Sequence, residues 1–182
     1  NNVVPTSGNV NFYLRLFNAP HPLTLPRNFN LTIAALSRSW DEGTGMDMEG
    51  YVDDGYASWI SAASNSSGVT DWTTPGGDIH AAPTFGAYFD VGTEDLSIDI
   101  SDLVEQWLAA TGAANYKANN GVAIYLANES AASSSYTKKF FARGSQYFFK
   151  HPVIEARWNS SRKDDRGNFY YSSSLAPAAD NL

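Results

Sequence analysis

The chain has 182 residues, 17% of them charged and 14% aromatic, which suits a single domain with a sizeable core and disfavours a disordered chain. A net charge of −7 argues against the concentrated basic surface that nucleic-acid binding requires, and the absence of cysteine removes disulfides and thiolate metal sites. No apolar run approaches the roughly 20 residues that cross a bilayer, so no membrane partner is expected.

The chain starts Asn-Asn without a leader pattern and reads as either processed or, the favoured reading, an excerpt of a longer polypeptide. Residues 1–8 form an extended lead-in punctuated by Pro5 and Gly8. Val10, Phe12, Leu14 and Leu16 then alternate with Asn11, Tyr13, Arg15 and Phe17, the period of a half-buried strand. Pro20, Pro22 and Pro26 make the next stretch a surface connection, because proline cannot donate to a ladder. Phe29, Leu31, Ile33 and Ala35 mark a second strand.

Trp40 follows, either a core plug at a sheet end or a sugar-stacking platform. Six acidic residues lie between Asp41 and Asp54, with Asp41, Glu42 and Asp47 as candidate ligands for a structural calcium ion. The order of an EF-hand loop is absent, and solvated loop charge is the plainer reading. Tyr56, Trp59 and Ile60 suit a short strand or a helical turn, and SAASNSSG reads as a small-residue loop. Trp72 is again core or platform. Thr84–Val91 and Leu96–Ile100 read as strands around a Gly-Thr-Glu-Asp turn.

The only convincing helix spans about residues 99–111. Leu103, Val104, Trp107 and Leu108 share one face, Asp99 is the expected N-cap, and Gly112 the expected left-handed stop. Leu103, Val104 and Trp107 are the expected core contacts, since so short a helix needs a sheet to pack on. Val122, Ile124 and Leu126 give the next strand, Tyr136–Ala142 another, and Val153–Trp158 the last. Beyond Trp158 the composition changes: mixed charges from Arg162 to Arg166 precede Phe169, Tyr170 and Tyr171. That segment reads as a C-terminal arm docking on another domain or subunit, or folding back on its own domain.

The order Ser-Asp-Leu-Val-x-x-Trp-Leu (101–108), then Asn-Gly-Val-Ala-Ile (120–124), with LSRSWDEGTG (36–45) upstream and Phe-Ala-Arg (141–143) downstream, resembles the DNRLRE-type β-sandwich domains, some of which are classed as carbohydrate-binding modules. The phrase EARWNSSRKDDRGNFYYSSSLA (155–176) resembles structural proteins of marine tailed phages. These resemblances imply an all-β, antiparallel jelly-roll-type sandwich over residues 9–158, capped by the helix and followed by the arm at 159–182.

They also imply a non-enzymatic module of a virion, in capsid decoration, tail or fibre, whose partners are its own copies and other virion proteins. The alternative is a carbohydrate-binding or adhesin module of a secreted or cell-surface protein. Its candidate platforms for surface glycans are Tyr51, Tyr56, Trp59 and Trp72, while Phe169, Tyr170 and Tyr171 are the candidate assembly contacts. No G-x-S-x-G elbow, Walker loop or paired-histidine metal motif occurs, so no catalytic residue and no cofactor beyond that calcium is expected. Paired carboxylates of glycosidase type remain compatible with 19 acidic residues. Asn30, Asn65, Asn128 and Asn159 match the glycosylation acceptor pattern, which carries meaning only in a secreted eukaryotic setting.

Overall fold

The structure, a computed structural model, describes residues 10–42, 56–65, 68–127 and 136–158. The expected lead-in (1–8), most of the acidic loop, the 129–135 turn and the arm (159–182) lie outside them. The fold is an all-β sandwich with a short helix, and among the described residues every strand pairing is antiparallel.

Strands β1 (Val10–Leu16), β6 (Leu96–Asp99) and β8 (Val153–Trp158) form one sheet in the order β6-β1-β8. Strands β2 (Phe29–Leu36), β5 (Ile79–Phe89) and β7 (Val122–Leu126) form the second, in the order β5-β2-β7. The chain changes sheet between β1 and β2, between β5 and β6, and at each later strand, the crossing pattern of a jelly-roll-type sandwich. Strands β3 (Ser61–Asn65) and β4 (Gly68–Asp71) pair as a separate hairpin where the small residues predict a loop.

The alternation read from sequence decides what is buried. Val10, Leu14 and Leu16 of β1 point inward, while β2, central in its sheet, buries Phe29, Leu31 and Ile33 in the core and Ala34 and Leu36 as well. Leu36 lies against the 72–78 loop, where a Cβ on Gly77 would sit 3.4 Å from its Cδ2.

Helix α1 (Ser101–Leu108) seals the core with Leu103 and Val104, both buried, and Trp107, half-buried against the same cluster. The indole N–H of Trp107 is enclosed without a partner among the described residues.

Three expectations about this helix are corrected. The N-cap position belongs to Ile100, yet Asp99 still serves the first turn: its Oδ1 accepts the Ser101 N–H at 2.9 Å and the Ser101 hydroxyl at 2.6 Å. Those bonds, the hydroxyl first, and one from Asn11 hold the Asp99 carboxyl below its usual range. The helix stops at Leu108 rather than at residue 111, because Leu108 is 72% exposed and no core face remains beyond it. Gly112, with φ +94°, makes the turn closed by the Ala113 N–H on the Ala110 carbonyl instead of the helix end.

Residues 136–142 do not form the expected strand. They run beside the proline-containing connection, bonded Thr137 N–H to Thr24 O, Ala19 N–H to Lys139 O and Phe141 N–H to Phe17 O. Pro20 and Pro22 have no N–H to complete a ladder, so only an isolated Asn18–Phe140 bridge results.

Candidate functional site

A cleft of about 480 Å³ opens where the 72–78 loop meets the second sheet; Trp59 and Tyr125 face it, with Ser37, Asp78 and Ile79. Its walls are set by local hydrogen bonds. The Ser58 hydroxyl accepts the N–H groups of Ile60 and Ser61, and the Trp72 ring N–H donates to the Ser58 carbonyl at 2.9 Å. Asp78 ties the loop together: its carboxylate accepts the Thr73 and Thr74 N–H groups at 3.1 and 3.0 Å and faces Arg38 at 3.4 Å. The Thr73 N–H contributes most to holding that carboxyl below its usual range.

Trp59 is 63% exposed yet seated. Its six-membered ring lies on Gly76, where a Cβ would come within 2.7 Å of the ring, and the Gly76 N–H donates to the Trp59 carbonyl. Any side chain at position 76, already at φ +95°, would push the indole off its seat. One ring face is thereby supported by backbone, a platform of the kind on which a pyranose stacks.

Three of the four aromatic residues expected to form a glycan surface are among the described residues. Only Trp59 lines the cleft; Tyr56 and Trp72 are half-buried elsewhere in the same region, and Tyr51 lies outside the described residues. Tyr125, which no motif in the sequence singles out, enters from β7 by pairing with Thr32 of β2. Trp40 is not a core plug: it is 39% exposed and spends its ring N–H on the Asn120 carbonyl at 2.9 Å.

A second surface is one that sequence reasoning misses entirely. Phe148–Lys150 forms one turn of 3₁₀ helix in which Phe148 is 72% and Phe149 89% exposed, in edge contact at 5.5 Å. The knuckle is fixed from behind. Buried Ser145 accepts the Tyr147 N–H on its hydroxyl and bonds the His151 ring through its carbonyl at 2.8 Å, and the Tyr147 ring meets Phe141 edge-on at 5.4 Å. Its sequence signal is the run Tyr147-Phe148-Phe149 inside a stretch whose pattern otherwise suggests only a connection.

Two of the expected calcium ligands, Asp41 and Glu42, are among the described residues. Glu42 accepts from Nε and Nη2 of Arg143, Asp41 acts through its backbone, and Asp47 lies outside the described residues; among the described residues no three acidic or histidine side chains gather. The candidate assembly contacts Phe169, Tyr170 and Tyr171 also lie outside them. No family model, no curated protein and no solved structure matches the chain.

Proposed function

We propose that this chain is a non-enzymatic structural module of a virion or similar surface assembly, held in place by other proteins of that assembly. The observation that supports it is the Phe148–Phe149 knuckle. Two phenylalanines exposed this far on a braced turn form an apolar anchor of the kind that concentrates interface energy when it enters a pocket. The resemblance of residues 155–176 to phage structural proteins points the same way. Capsid decoration, tail and fibre are the placements this reading admits, all of them in the particle or outside the cell.

An antibody to the chain should label purified particles from a producing culture. A Phe148→Ser/Phe149→Ser chain supplied alongside the normal one should be excluded from those particles by at least about tenfold, the effect of losing a single 1.4 kcal/mol contact, while unfolding at the same temperature. Equal incorporation of the two chains would contradict the reading.

A specific observation favours glycan binding as the second reading: the Gly76-backed Trp59 over its cleft. The Asp78 carboxylate and the Trp72 ring N–H are already spent on the protein itself, which leaves few polar groups to orient a sugar. Tryptophan fluorescence should then change on adding a cognate polysaccharide, and Trp59→Ala should abolish the change without altering stability by more than about 1 kcal/mol. Silence across a broad glycan panel would remove this reading.

A further inference from the structure

β8 is an edge strand: β1 fills one side, and among the described residues no strand fills the other. Directly paired residues of an antiparallel sheet point to the same face, and β8 pairs Trp158 with Val10, Ala156 with Phe12 and Ile154 with Leu14. Ile154, Ala156 and Trp158 therefore point the way the buried Val10 and Leu14 point. They are nonetheless open to solvent, Ile154 at 48% and Trp158 at 36%, because the second sheet does not reach over them. An apolar, unpaired edge of this kind is a template for another strand.

Its sequence specifies which strand. Ile154-Glu155-Ala156-Arg157-Trp158 is chemically symmetric about Ala156. Laid antiparallel on a copy of itself across a two-fold axis through Ala156, it sets Glu155 opposite Arg157 twice and Ile154 opposite Trp158 twice. The neighbouring registers that keep the inward residues inward do worse: shifting the axis to residue 155 opposes two glutamates, and shifting it to residue 157 opposes two arginines. Within one chain Glu155 accepts from Arg15 at 2.9 Å and from Nε and Nη2 of Arg157 at 2.9 and 3.2 Å, and the Arg157 guanidinium lies over the Tyr13 ring at 4.1 Å. Both charges are thus held on the outer face, and the two-fold pairing lets each Arg157 share its N–H donors with the Glu155 opposite.

We infer that the chain self-associates through β8, joining two three-stranded sheets into one six-stranded sheet with Ala156 on the two-fold axis. A closed, isologous contact of this size falls at the small end of specific interfaces, so the full chain should show a monomer–dimer equilibrium between about 1 and 100 µM.

Sedimentation of the full chain tests it. Arg157→Glu and Glu155→Lys should each be monomeric, because each opposes like charges, and an equimolar mixture should dimerise, because the mixed pair opposes only unlike ones. The protein has no cysteine, so Ala156→Cys adds a lone thiol at a small exposed position that should oxidise to a covalent dimer; a thiol at 157 should not, lying two residues out of register with its copy. A wild-type chain monomeric up to about 100 µM overturns the inference, as do charge variants that still dimerise or folded variants whose mixture stays monomeric. A monomeric full chain that dimerises once residues 159–182 are removed would assign the edge to that segment and also overturn it. The inference goes beyond the assembly reading: a monomer that still enters particles through Phe148 and Phe149 ends the dimer alone, and a dimer absent from particles ends the module alone.

Discussion

Phe89→Ala should lower the stability of the fold by about 3–5 kcal/mol, among the largest losses any single truncation here can cause. Phe89 ends β5 fully buried, opposite Phe29 in the ladder, with the two rings stacked at 5.1 Å and 14°. Its other side meets Phe140 at 6.3 Å, a residue held by the irregular 136–142 segment rather than by a strand. Removing the ring leaves a cavity bounded by both sheets and takes away the aromatic pair, whose neighbours cannot close in because β2 is fixed on both sides. Tyr88→Ala next door is the control: that side chain is exposed and gives up one bond to Asn28, so its loss should stay within about 1 kcal/mol. Urea unfolding with an unchanged slope measures both, and equal losses at 88 and 89 would mean that the core does not extend to this end of the sandwich.

The strand that carries Phe89 is legible in the sequence, as are β1, β2, β7 and β8, because a strand with one buried face must write period two into its residues. The elements that are not legible lack that pressure. β3 and β4 hold Ser61, Ala63 and Ser64 against Asp71, Thr70 and Val69 through backbone pairing and the Ser61–Asp71 bond, so nothing apolar alternates there. β5 begins at Ile79, before the expected Thr84, and its first residues include Pro83 and two alanines, tolerated on the outer strand of the sheet. The helix end is misplaced by sequence alone because Ala109 and Ala110 are strong helix formers, whereas what ends α1 is the absence of anything left to pack on.

The candidate site divides the same way. Residue type is enough to single out Trp59, but its seat on Gly76 and the presence of Tyr125 in the same cleft depend on residues distant in sequence. The open edge of β8 is equally invisible. Val153–Trp158 has the alternation of a half-buried strand, and only the sheet order reveals that its inward residues face no opposing sheet among the described residues. Sequence pattern reports which face a strand would bury, and tertiary structure decides whether a partner within the chain is there to bury it.

Lys138→Met should destabilise the fold by about 2–4 kcal/mol, although methionine matches the aliphatic stem of the side chain it replaces. The Lys138 ammonium donates to three acceptors from separate parts of the chain: the Asn18 side-chain oxygen at 2.7 Å, the Gly92 carbonyl at 2.9 Å and the Glu94 carbonyl at 2.8 Å. It thereby fastens 136–142 to the end of β1 and to the turn between β5 and β6. The Phe89 and Phe140 rings flank it at 5.0 and 4.7 Å, and burial pulls its pKa below the usual lysine value against the attraction of Glu94 and Asp95. The turn it holds is already fixed from within. Glu94 accepts the N–H groups of Asp90, Val91 and Gly92, and Gly92, at φ +94°, sits so close to the Pro26 carbonyl that no Cβ fits. Such a turn cannot rotate its carbonyls out to water when the ammonium goes, so methionine leaves them unpaired while keeping the packing between the rings. Arginine keeps the charge but presents a planar fork to a three-way site, and should recover only part of the loss. Thermal and urea unfolding of the two variants decide the matter: a methionine variant within about 0.5 kcal/mol of the parent would mean that water reaches all three acceptors and that the 136–142 segment is held by its apolar contacts alone.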